Sequence, residues 1–126
     1  MRKSRQKSPI LWRKQPAEHN YPAAESYLTL LYRPGKAARL VAELRKARVV
    51  EFKAKDIFRA SRLSLLGISN SHVENDRRKI RMRCEISPIL LVRDDEHGWV
   101  IIADGYHRLC AVYRVDEDAM IPCKIV

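Results

Sequence analysis

Gly98-Trp-Val-Ile-Ile-Ala-Asp-Gly-Tyr-His-Arg-Leu-Cys-Ala-Val112 runs from an apolar stretch through Asp-Gly into a basic, helix-forming segment. Val100, Ile101 and Ile102 are β-branched and suit a buried strand, and Gly105 relaxes the backbone where the chain must turn. The pattern predicts a strand over 99–103, a polar loop, and a helix that begins at Tyr106 or His107. A helix N-terminus exposes unpaired N–H groups and a partial positive charge, so an anion beside Gly105 would meet backbone donors. Arg108 would be its bidentate side-chain partner, and phosphate is the natural anion.

Reading outward, Ser87-Pro-Ile-Leu-Leu-Val-Arg93 covers most of a strand over 86–92 that pairs antiparallel with 99–103 through a turn at 93–98. In that turn His97 is expected to be exposed and idle. Val49–Lys53 is expected to be a strand, followed by a short helix over 55–62 and a loop over 65–72. A helix then runs from about His72 to Arg83, capped by Asn70 or Ser71, with Glu74 at capping-box spacing from Ser71. Leu109, Val112 and Tyr113 give the last helix its apolar face. The acidic bend Asp116-Glu-Asp118, read as solvated, precedes a closing strand over 121–126.

This order of elements, with Gly105-Tyr-His-Arg108 before the last helix and Ile121-Pro-Cys-Lys-Ile-Val126 after it, resembles the ParB/sulfiredoxin-like family over residues 48–126. The resemblance implies an α+β fold, a small mixed sheet with short helices, and a nucleotide bound at the turn. It also implies that the loop and helix around Asn70 and His72 lie near that nucleotide. Sulfiredoxins place a nucleophilic cysteine directly before His-Arg; Tyr106 stands there instead, so that chemistry loses its nucleophile. Partition ParB proteins carry Glu-Arg-Arg after the glycine, and they continue into a DNA-binding region and a dimerisation tail. Neither feature is found in the sequence up to Val126.

Residues 1–20 read as a basic, flexible arm in which Trp12 anchors the end, and residues 21–47 as a helical hairpin preceding the core. Pro22 opens the first helix, which carries Tyr27, Leu28, Leu31 and Tyr32 on one stripe and stops at Pro34-Gly35. The second helix, over 36–47, carries Leu40, Val41 and Leu44. These stripes are expected to cover the sheet, with a homodimer contact as the alternative. The 126-residue chain is 46% hydrophobic, enough for one core without metals or disulfides. Cys84, Cys110 and Cys123 show no paired spacing, and the last two read as core residues. The apolar segments are too short for a membrane span or a secretory leader, so a cytoplasmic location and no membrane partner are expected.

Two functional readings follow. In the first, Asp104, Gly105, Tyr106, His107 and Arg108 hold the phosphates of a nucleoside triphosphate with Mg²⁺, seconded by Asn70 and His72. Asp104 and His107 would then act as catalytic groups of an NTP hydrolase or phosphotransferase. No protein-held metal site is expected. The second reading rests on the net charge of +10. Arg2, Lys3 and Arg5 in the arm and Arg77, Arg78, Lys79, Arg81 and Arg83 on a helix would bind nucleic-acid phosphates without catalysis. Under a purely structural role, Asp104 would cap the helix and Arg108 would pair with a nearby acid.

Overall fold

Ile89–Asp94 is apolar at every position through Val92, and such a run is stable only where both faces of a strand are covered. In the computed structural model, which describes residues 10–65 and 70–126, this segment is an interior strand. In chain order the elements are β1 (Leu11–Trp12), α1 (Asn20–Leu28), α2 (Pro34–Lys46), β2 (Val50–Lys53), α3 (Ala54–Ser61) and α4 (Ser71–Arg81). They continue as β3 (Glu85–Ile86), β4 (Ile89–Asp94), β5 (Trp99–Asp104), α5 (Tyr106–Val115) and β6 (Met120–Ile125). The main sheet has the order β2-β6-β4-β5. β6 runs antiparallel to β2 and parallel to β4, while β4 and β5 form an antiparallel hairpin. The fold is α+β with a mixed sheet, as expected.

Strand alternation sends successive residues to opposite faces, and each face has its own cover. Leu90, Val92 and Ala103 pack against Tyr21, Ala24, Leu28, Val41 and Leu44 of α1 and α2. Ile89, Leu91, Ile102, Ile121 and Cys123 pack against Ile57, Val73, Ile80, Leu109 and Val112 of α3, α4 and α5. The helical hairpin therefore buries its apolar stripes on the chain's own sheet. Lys124, on the hairpin side and only 3% exposed, donates from Nζ to the carbonyl of Arg45 at 2.9 Å. This places a cation near the C-terminal end of α2, where the helix dipole favours it.

Several boundaries differ from the sequence reading, each for a local reason. Pro22 is the third residue of α1, and the buried stripe is Tyr21, Ala24 and Leu28; Tyr27 and Leu31 are 41% and 48% exposed. Pro34 starts α2 rather than only stopping α1, because a proline at the first helical position loses an N–H that has no partner anyway. Asn70 caps α4 by accepting from the amides of His72 at 3.0 Å and Val73 at 3.2 Å. Ser71 is thus the first helical residue, and Glu74 pairs with Arg77 and Arg81 instead of closing a capping box. His97 is exposed but engaged: its Nδ1 lies 2.9 Å from Asp94 Oδ2 and its ring stacks on Trp99.

The strand expected over 86–92 breaks at Ser87-Pro88. Before the break, β3 pairs in parallel with β1; after it, β4 enters the main sheet. Pro88 supplies no amide, and the Ser87 hydroxyl is committed to the amide of Ala17 and the side chain of Asn20. Residues 10–20, read as part of the arm, belong to the fold. Ile10 is buried, β1 is paired, and Arg13 donates its amide to Ile86, so the chain is packed from Ile10 onward. Positions 1–9, with Arg2, Lys3 and Arg5, lie outside the described residues, as does part of the loop before Asn70.

Cys110 and Cys123 are fully buried and Cys84 is exposed. Burial, with Glu51 adding to it, pushes the Cys123 thiol up to about 12. A thiol reagent at mild alkaline pH should therefore modify one equivalent per folded chain and three after denaturation, counted by mass spectrometry. Rapid modification of more than one cysteine in the folded chain would contradict this packing.

Candidate phosphate site at the start of helix α5

β5 ends at Asp104, and Gly105 turns the chain with φ +112° to become the N-cap of α5. No side chain caps this helix. Among the described residues, no carbonyl or side chain accepts from the amides of Tyr106, His107 or Arg108. These donors open beside a cavity of about 210 Å³, walled on one side by α4 with His72, Asn75, Asp76 and Lys79. The spacing i, i+3, i+4, i+7 puts all four on one helix face. On the other side stand Asp104 and the turn itself.

His107 and His72 meet across the cavity with ring centroids 4.8 Å apart, and Tyr106 lies against His107 at 5.7 Å. The Tyr106 hydroxyl donates to the carbonyl of Ser64. Burial holds the His107 imidazole below its usual pKa, and His72 and Arg108 add to the effect, while Asp76 opposes it. Burial likewise raises the Asp76 carboxyl, against the pull of Arg108, Lys79, His107 and His72. A carboxyl and an imidazole pushed toward their neutral forms in one small cavity are the kind of pair that marks functional sites.

Arg108 is not aimed freely at a ligand. Its Nε donates to the carbonyl of Ser87 at 3.0 Å, and its Nη2 donates to the carbonyl of Pro88 at 3.2 Å and to Asp104 Oδ2 at 2.9 Å. Both partners of the ion pair are largely buried, with side chains 15% and 17% exposed. The Asp104 carboxylate therefore holds Arg108 instead of capping α5, and the two residues brace the turn against the β3–β4 connection. Arg108 still contributes positive potential to the cavity, since its charge acts on both Asp76 and His107.

The structure thus brings together His72, Gly105, Tyr106, His107 and Arg108, and places Lys79 with them. Asn70 lies outside the cavity lining, occupied as the cap of α4. Asp76 and Asn75 were missed by the sequence reading; the signal was their shared helical face with His72. The basic run on α4 does not form one free stripe. Arg77 and Arg81 pair with Glu74, Arg78 donates to Asn75, and Lys79 turns into the cavity. Arg83 follows the helix with φ +62°.

Asp94, Glu96 and His97 on the β4–β5 turn are the one group of metal-competent side chains whose ligand atoms lie within 4.8 Å among the described residues. Asp94 already accepts from the amide and ring of His97 and from Trp99 Nε1. In the acidic bend, Asp118 pairs with Lys55 at 2.8 Å and Glu117 accepts from Tyr113. No helix among the described residues is long and apolar enough to cross a membrane. Compared with protein-family models, with curated proteins and with solved structures, the chain matches none.

Proposed function

We propose that the cavity at the start of α5 binds the phosphate group of a nucleotide, in the manner expected of a ParB/sulfiredoxin-like domain. The observation that carries this reading is the uncapped, glycine-led N-terminus of α5 opening between two histidines and Lys79. At about 210 Å³ the cavity suits a phosphoryl group, and it is below the range of roughly 300–1,000 Å³ that encloses a drug-sized ligand. The sugar and base would lie outside it. Asp76 is the one carboxylate of the lining not already held in an ion pair, so it is the residue that would meet a phosphate-bound Mg²⁺. Asp76 and His107 are also the groups able to exchange a proton with the ligand, so turnover, if the chain has it, would run through them and not through Asp104.

The nucleic-acid reading has less support on α4, where Arg77, Arg78 and Arg81 are engaged by neighbours. The test is calorimetric titration of the chain with inorganic phosphate, ATP, CTP and GTP, with and without Mg²⁺. A saturable site weakened roughly tenfold in Lys79→Ala and in His107→Asn is expected, one such step corresponding to about 1.4 kcal/mol. Binding should be proton-linked. Without an anion, the lowered His107 pKa costs stability as pH falls through the ordinary imidazole range; a bound phosphate gives the imidazolium a partner and reduces that loss. Affinity for sulfate, whose charge is constant over this range, should therefore rise as pH falls from about 8 to 6, across the ordinary imidazole pKa. A flat profile would remove the histidines from the site.

A further inference from the structure

α3 packs on the main sheet without filling all the space beneath it. Its Phe58 meets Tyr113 of α5 edge to face, with ring centroids 4.9 Å apart, and beside Ile57 the residue that faces the sheet is the small Ala60. A cavity of about 230 Å³ remains between helix and sheet. Its floor is Phe52, Leu91, Val100 and Ile125, one side chain from each of the four strands, all on the face that α3, α4 and α5 cover. Two charged residues complete the lining. Asp56 lies one helical turn before Ala60, and Arg93 lies two positions after Leu91 and so on the same face of β4. Both are exposed, which puts one anion and one cation at the mouth of an apolar chamber.

We propose that this chamber binds a free amino acid with an aliphatic side chain, of the size of leucine. Arg93 makes no side-chain ion pair among the described residues, and a guanidinium takes a carboxylate through two parallel hydrogen bonds. Asp94, its neighbour in the chain, points to the other face of β4 and is held by His97 and Trp99. Asp56 would take the ammonium. Its ion-pair partner among the described residues is Arg59 at 3.5 Å, with the two side chains 54% and 81% exposed, a contact that water screens and an entering ammonium can replace. The paired charges select the ligand class. An acid without an ammonium would bring a like charge to Asp56, and an amine without a carboxylate would bring one to Arg93. A chamber of this volume is about 8 Å across, below the roughly 300–1,000 Å³ that encloses a drug-sized ligand, so a single small metabolite fills it. The ligand carries no net charge, so the chain's overall +10 does not attract it and binding reports the chamber itself.

The probes are leucine, glycine, isocaproate and isoamylamine, the last two being leucine without its ammonium and without its carboxylate. Each is titrated against the full chain while the methyl signals of Leu91, Val100 and Ile125 are followed by NMR. Leucine should saturate with a Kd below about 1 mM, and the other three should bind at least roughly tenfold more weakly. Arg93→Gln should weaken leucine roughly tenfold and strengthen isoamylamine, whereas Asp56→Asn should weaken leucine and strengthen isocaproate. Ala60→Leu should fill the chamber and abolish leucine binding in a chain that still melts cooperatively. Absence of leucine binding would overturn the proposal, as would equal binding of isocaproate or isoamylamine, which would leave an apolar hole without selection. Asp56 and Arg93 are exposed, so their variants decide the matter even where Ala60→Leu does not fold: wild-type leucine affinity in both would contradict the assignment. None of the three residues lines the α5 cavity, so phosphate binding should be intact in the folded variants whichever way the leucine result falls.

Discussion

Arg108→Ala is expected to lower the melting temperature by roughly 12 °C, from a loss of about 3 kcal/mol at about 4 °C per kcal/mol for a domain of this size. The substitution removes three hydrogen bonds at once and leaves Asp104 as a largely buried carboxylate without its cation. Arg108→Lys should recover little, since a point charge cannot span two carbonyls and a carboxylate. Asp104→Ala combined with Arg108→Ala should be less damaging than Arg108→Ala plus Asp104→Ala taken separately, because the orphaned charge is gone. Thermal unfolding of the wild type and the four variants measures this. Wild-type stability in Arg108→Ala would mean that the arginine does not brace the turn, and would return it to the role of a free ligand.

Gly105→Ala should cost about 3 kcal/mol, again read as a fall in melting temperature. Two effects add. The backbone at φ +112° lies where side-chain-bearing residues are strained, by roughly 1–3 kcal/mol. A β-carbon would also stand 2.9 Å from Ile89 Cγ1 and 2.9 Å from Arg108 Nη2, closer than carbon atoms tolerate, so the first turn of α5 must shift away from β4. Gly98 is the internal control: it too has a positive φ, but nothing lies within 4 Å of its would-be β-carbon. Gly98→Ala should therefore lose only the conformational part. Equal losses at both glycines would show that the close approach to Ile89 contributes nothing.

The strand, turn and helix around Gly105 were legible because their signals are local: β-branched residues, a glycine and a helical period follow one another within a few positions. The two core cysteines and the apolar face of α2 followed from periodicity in the same way, whereas α1 covers the sheet with Tyr21, Ala24 and Leu28 and not with the stripe the sequence suggested. What escaped the sequence were commitments made over long distances. Ser87 is claimed by Ala17 and Asn20, some seventy positions away, and this diverts β3 into a second sheet with β1. Arg108 reads as a phosphate ligand by its place in the turn, yet the carbonyls of Ser87 and Pro88 reach it from another element. Asp76 shares a helical face with His72, but that this face meets the turn appears only when α4 packs beside α5. The pairing of Arg77 and Arg81 with Glu74 is the exception, a local commitment on one helix that the charge run concealed.

The most direct measurement of the central claim is a phosphate titration followed residue by residue in ¹H–¹⁵N spectra of the full chain, together with the ring protons of its histidines. The account predicts that the amides of Tyr106, His107 and Arg108 and the rings of His72 and His107 move along one saturable curve, and that the His107 pKa rises when phosphate is bound. Shifts confined to surface cations elsewhere, with the α5 amides and both rings unmoved, would contradict it.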